Sequence, residues 1–126
     1  MTLQGVFLAD GPSDLPLGRH LEQVCADLGH EVALTPVNPD LMPGAGRTVM
    51  GRLAFLVDQG IRFDVVFVHR DAEAQDPMLR RREVADGAQQ AGVSCPVVAV
   101  VPVRMTEAWL LLDEQAIRQV AGKPSG

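Results

Sequence analysis

The chain contains no tyrosine, one tryptophan and four phenylalanines, so its core has to be aliphatic. Basic charge is also short: eleven Lys and Arg face sixteen Asp and Glu, a formal net charge of -5. Phosphate binding accumulates with basic residues, so this balance excludes broad electrostatic adhesion to nucleic acid. An acidic protein that works on nucleic acid needs a metal, a local basic patch or a basic partner. All the basic residues but Lys123 are arginine, the side chain suited to bidentate phosphate or carboxylate contacts. Two cysteines, Cys25 and Cys95, give neither a disulfide framework nor zinc-ligand spacing. Cys25 falls on the apolar side of a helical pattern and reads as a reduced core thiol. No apolar run reaches the length of a membrane span, and the N-terminus has no basic stretch followed by a long apolar one. The expectation is a cytoplasmic protein without membrane association.

What is present is a single-domain length of 126 residues, 47% hydrophobic and 21% charged. Leu3 to Ala9 is a short apolar run ended by "DGPSD", a first strand. Leu15 to Leu28 places Leu17, Leu21, Val24, Cys25 and Leu28 at helical spacing, with Asp14 as the expected N-cap. Glu31 to Val37 reads as a strand, and "NPDLMPGAG" as a loop. Arg47 to Gln59 reads as a helix and Phe63 to His69 as a strand. Pro77 to Ala91 is a helix with Asp76 at its cap and Pro77 at the first helical position. Pro96 to Val103, nearly all valine, is a fourth strand, and Thr106 to Val120 a last helix.

Strands and helices that alternate in this way predict an α/β fold. The expected form is a three-layer sandwich with four mostly parallel strands and helices on both faces. In such sheets the functional crevice lies beyond the carboxyl ends of the strands. That rule gathers Asp10, Asp14, Asp71, Glu73 and Glu107, each just after a strand, along one edge.

The stretch "VVFVHRDAEAQD" (65–76) raises the sharpest question, because a buried strand ends in a knot of charges. Asp71 and Glu73 are two apart and project to the same side of an extended loop. Asp10 joins them only if the first and third strands are neighbours. Gathered carboxylates repel one another and are tolerated chiefly around a cation, and all-oxygen ligands select Mg²⁺ or Mn²⁺. Such an ion polarises a phosphodiester and lowers the pKa of attacking water. Glu107 would be an accessory ligand or base. Arg70, Arg80 and Arg104 would steady the scissile phosphate.

Each residue also has a plainer explanation. Asp10 precedes Gly11-Pro12 and fits a turn, while Asp71 and Glu73 have arginines within reach to pair with. Glu107 suits the start of a helix dipole. His69 at a strand end is more often packed than catalytic. "RRRE" at Arg80 to Glu83 reads as a solvated helical turn. "GAGRT" (44–48) offers a helix N-terminus to phosphate but lacks the lysine and spacing of a Walker loop. In "EAWLLLD" (107–113) the apolar residues cover nearly a whole helix circumference. That marks burial on several sides and makes Trp109 and Leu112 candidates for a partner or homo-oligomer contact. A receiver-like phosphoacceptor domain would require a lysine after a later strand, and Lys123 lies in the tail.

"VFLADGPSD", "VVFVHRDAE" and "PVRMTEAWLLLD", in that order along the chain, resemble the TOPRIM-like proteins of domain-of-unknown-function family 4276. Those are bacterial proteins found beside ATPases in defence-type gene clusters. The resemblance implies a metal-dependent nuclease-like domain. Asp10 would stand at the family's glutamate position, Asp71 and Glu73 at its paired acids, and Arg104 and Glu107 in its R-x-x-E-A-W motif. It also implies a possible ATPase partner. The departures are a shorter acid at Asp10, a longer one at Glu73, and a chain stopping at Gly126 where members run further. The same pattern fits a second expectation, a catalytically inactive TOPRIM-like interaction subunit.

Overall fold

The computed structural model describes residues 2–11, 14–42, 44, 46, 48–60, 62–70, 76–102 and 110–112, with residues 102 and 110–112 described by their backbone alone. The elements are β1 (Leu3–Leu8), α1 (Leu17–Asp27), β2 (Val32–Val37), a 3₁₀ turn (Pro39–Leu41), α2 (Val49–Asp58), β3 (Val65–His69), α3 (Pro77–Ala91), β4 (Val97–Pro102) and β5 (Leu110–Leu112). They form an α/β three-layer sandwich with sheet order β2-β1-β3-β4-β5. The first four strands in that order are parallel, and β5 runs antiparallel to β4. β1 and β3 are direct neighbours, with Gly5 opposite Val65 and Leu8 opposite Val68.

Strand alternation divides the core into two layers. Phe7, Ala9, Val65, Phe67, Val98 and Val100 face one way and pack with Leu21 and Cys25 of α1. Val6, Leu8, Val66, Val68, Ala99 and Val101 face the other way, against Leu53 and Leu56 of α2 and Val84 of α3. The central strands are apolar on both sides because helices cover both. No helix among the described residues is long and apolar enough to cross a membrane.

α3 has the expected bounds, and its start has the expected cause. The Asp76 side chain accepts from the Met78 N–H at 2.9 Å, Pro77 occupies the first helical position, and Gly92 ends the helix at φ 74°. α2 starts at Val49, where Thr48 accepts from the Gly51 N–H at 3.0 Å. α1 differs from expectation. It begins at Leu17 behind Pro16, with no side-chain cap. Asp14 lies three positions upstream, its N–H donating to the Gly11 carbonyl in a turn (3.1 Å), so it does not cap the helix.

A second correction concerns the expected helix from Thr106 to Val120. Leu110, Leu111 and Leu112 are extended and pair with Pro102, Val101 and Val100. An apolar run without polar punctuation fits a strand buried on both faces as well as a helix. Here β4 would otherwise present an open row of N–H and C=O groups, which β5 pairs along its length at Val100 to Pro102. The rest of that expected helix lies outside the described residues.

Candidate functional site

β1 leads through α1 to β2 on its one side, whereas β3 leads through α3 to β4 on the other. Their outgoing chains therefore diverge, and the sheet opens between their carboxyl ends. Such a switch point is where α/β sheets bind ligands. Asp10 leaves β1 there, and Arg70 follows β3 directly.

Asp10 is held at each of its polar groups. Its carboxylate Oδ1 accepts from Arg70 Nη1 at 2.8 Å and lies 3.6 Å from Arg52 Nη1. Its main-chain carbonyl accepts from Arg52 Nη1 at 3.4 Å. Its N–H donates to His69 Nδ1 at 3.3 Å. Arg52 and His69 are the two buried polar side chains among the described residues, 8% and 4% exposed. They reach Asp10 from different places, Arg52 from α2 and His69 from the last position of β3. His69 packs near Phe7, with ring centroids 6.3 Å apart.

The His69 bond fixes a tautomer: Nδ1 accepts from Asp10, so its proton sits on Nε2. Asp14 Oδ2 also lies 3.6 Å from Nδ1. In this tautomer two acceptors face each other at that distance, so we read the Asp10 contact as the hydrogen bond and the Asp14 approach as a near neighbour.

Arg70 continues the network outward. Its Nε donates to Glu83 Oε1 at 3.0 Å and its Nη2 to Oε2 at 3.5 Å, and Arg80 Nη1 reaches the same Oε1 at 3.3 Å. Arg52, Asp10, Arg70, Glu83 and Arg80 thus form one chain of alternating charge, drawn from α2, the two strand ends and α3. The bidentate Arg70–Glu83 pair sets the guanidinium plane, which a lysine could not do.

The structure joins two of the sequence-derived site residues, Asp10 and Arg70, directly, and a third, Arg80, through Glu83. Asp71, Glu73, Arg104, Glu107 and Trp109 lie outside the described residues, and Leu112 is described only as backbone in β5. Sequence reasoning missed Arg52 and underrated Glu83. The available signal was weak: Arg52 falls beside Val49, Leu53 and Leu56, at the margin of an apolar helical face. Among the described residues, no group of three or more His, Cys, Asp or Glu is arranged to hold a metal ion.

No known protein-family profile matches the chain, and no solved structure does. The chain is similar to the tRNA-2-methylthio-N(6)-dimethylallyladenosine synthase of Bordetella petrii, 31% identical over 105 residues. The likeness covers 75% of this chain and 22% of that protein, so the chain spans about a fifth of the length of the curated relative it matches.

Proposed function

We propose that the chain is a TOPRIM-like, Mg²⁺- or Mn²⁺-dependent phosphodiester-processing domain, with its site in the crevice between the ends of β1 and β3. The observation that carries this reading is the 2.8 Å contact between Arg70 and Asp10. It ties the acid after β1 to the first residue of the segment that continues, in sequence, as Asp71-Ala72-Glu73. The strand neighbourhood on which the acidic cluster depended is present as well.

The geometry redistributes the roles. Asp10 Oδ1 faces two guanidiniums, so the described acids alone do not make a cation cradle. The oxygen donors suited to Mg²⁺ or Mn²⁺ would come first from Asp71 and Glu73, with Asp10 orienting Arg70 and Glu107 accessory. A divalent cation at such a site supplies Lewis-acid polarisation of a phosphodiester. Arg70, held in plane by Glu83, and Arg80 beside it would meet the phosphate oxygens as charge develops on them. Because the network carries a single net positive charge and the chain is acidic, binding of nucleic acid would depend on the cation and fall with salt. The Bordetella petrii relative is named for a tRNA nucleoside, which keeps RNA beside DNA in a substrate screen.

Mn²⁺ calorimetry on wild type and Asp71→Ala tests the reading without a guess at substrate. Saturable binding that the substitution removes, followed by Mn²⁺-dependent cleavage of an oligonucleotide, supports it. Absence of binding at millimolar Mn²⁺ counts against it.

The neutralisation of Asp10 by Arg52 and Arg70 without a cation favours a second reading, a catalytically inactive interaction subunit of an ATPase or a homo-oligomer. In that case Trp109→Ala dissociates the assembly in sedimentation, whereas Asp71→Ala leaves it intact.

A further inference from the structure

Arg52 has an unusual standing in this core. Its side chain is 10% exposed, its Nε is enclosed with no hydrogen-bond partner among the described residues, and its contacts to Asp10 are long, at 3.4 and 3.6 Å. Enclosing a guanidinium sets a desolvation cost that only close, well-formed contacts offset. Such an arginine stabilises the fold less than an apolar side chain of like volume would between Val49, Leu53 and Leu56. What Arg52 does contribute is directional. From α2 it meets both the main-chain carbonyl and the carboxylate of the one residue whose N–H is bonded to the other buried polar side chain, His69.

We infer that Arg52 is a positioning residue: it locks Asp10 in a single orientation at the mouth of the crevice, so that Asp10 in turn presents Arg70 to a bound phosphate. The consequence for chemistry rests on the phosphodiester reading above; the lock itself does not. Among the described residues three groups converge on Asp10: His69 on its N–H, Arg70 on its carboxylate, and Arg52 on both its carbonyl and its carboxylate. Among the described residues Arg52 ties the loop directly to a helix, whereas Arg70 does so only through Glu83 of α3. With Arg52 removed, Asp10 keeps His69 of β3 and Arg70 just after it but loses that tie. The site also loses one positive charge, which strengthens the local attraction for a cation.

The test compares wild type with Arg52→Met and Arg52→Lys in three measurements. The first is the denaturation midpoint, the second amide hydrogen exchange at Asp10 against Phe7 and Leu8 of β1, and the third Mn²⁺ affinity. For Arg52→Met we expect an unchanged or raised midpoint, because methionine fills the space without a buried charge. We expect exchange at Asp10 about tenfold faster with Phe7 and Leu8 unchanged, the signature of local opening. Arg52→Lys restores much of the protection, since an ammonium still reaches a carbonyl. Mn²⁺ binds Arg52→Met about fivefold more tightly than wild type, as removal of a nearby positive charge requires. Unchanged exchange at Asp10 overturns the inference. So does faster exchange throughout β1 with a lowered midpoint, which would make Arg52 a merely structural residue. If wild type binds no Mn²⁺, the metal reading fails on that measurement, and the exchange data still decide the role of Arg52.

Discussion

Burial pushes the Cys25 thiol up to about 11 from its ordinary 9.0, and the neighbouring Glu22 carboxylate adds to the shift. The cause is the cost of placing a thiolate against Leu21, Phe7 and Val32 rather than in water. The sign of the pH effect follows from proton counting. An acid whose folded pKa is raised favours the folded state while it is protonated, so its contribution is fully present below pH 9. That contribution is lost as pH rises through about 11, because the unfolded chain releases the proton first. The composition leaves few other groups in this window, since the chain has no tyrosine and one lysine, Lys123, and the Cys25→Ala comparison separates Cys25 from the second thiol, Cys95. We therefore expect stability to decline between pH 9 and 11 in urea titrations, and Cys25→Ala to flatten that decline. Native protein at pH 8 should correspondingly leave Cys25 unalkylated by iodoacetamide. Labelling of Cys25 at the rate of an unstructured thiol would contradict the burial.

α2 and α3 cross at a point where only a glycine fits. A Cβ on Gly87 would stand 2.9 Å from Val49 Cγ1 and 3.0 Å from the Met50 backbone nitrogen. Alanine ordinarily improves a helix interior by about 1 kcal/mol over glycine. Here the clash is partly with backbone, which does not rotate away, and overpacking of this kind costs about 1–3 kcal/mol. Gly87→Ala should thus lower the urea midpoint despite its better helix propensity. It should also loosen Asp10 in amide exchange, because α2 carries Arg52. A raised midpoint would show that the crossing has slack. The same element level explains what could be read from the residues. The start of α3 was legible because Asp76 and Pro77 mark it by local chemistry. The start of α1 was not, since Asp14 resembles a cap but Pro16 sets the helix two residues later than expected. Leu110 to Leu112 carried no period to choose between strand and helix, and only the open edge of β4 decides it. The strand-end placement of Asp10 and Arg70 followed from the alternation of elements. The reach of Arg52 across two layers did not, because no local pattern in α2 encodes which loop its guanidinium will meet.

At the scale of the whole molecule the sheet manages its two edges differently. β2 carries Pro36, which has no N–H to offer a further strand, and proline is tolerated there because β2 lies at the edge. β4 has a proline only at its last position, Pro102: "VVAVVP" is a β-prone, uncharged run whose outer side β5 pairs from Val100 to Pro102. Ending the chain after Pro102 would expose that run as an edge, the arrangement that templates intermolecular pairing. The removed residues include Arg104, Arg118 and Lys123 against Glu107, Asp113 and Glu114, so the shortened chain keeps the net charge of -5. Any change in self-association then comes from the exposed edge, not from altered repulsion between copies. We expect light scattering to show the shortened chain associating more than the full chain does. The like charge opposes that association, and salt screens it over a Debye length of about 8 Å at physiological ionic strength. Association should therefore rise from low to moderate salt. The proposed nucleic-acid binding should fall over the same range, and this opposition of signs separates edge pairing from a shared nucleic-acid scaffold. A shortened chain that stays monomeric across that salt range would mean that β5 is not what guards β4.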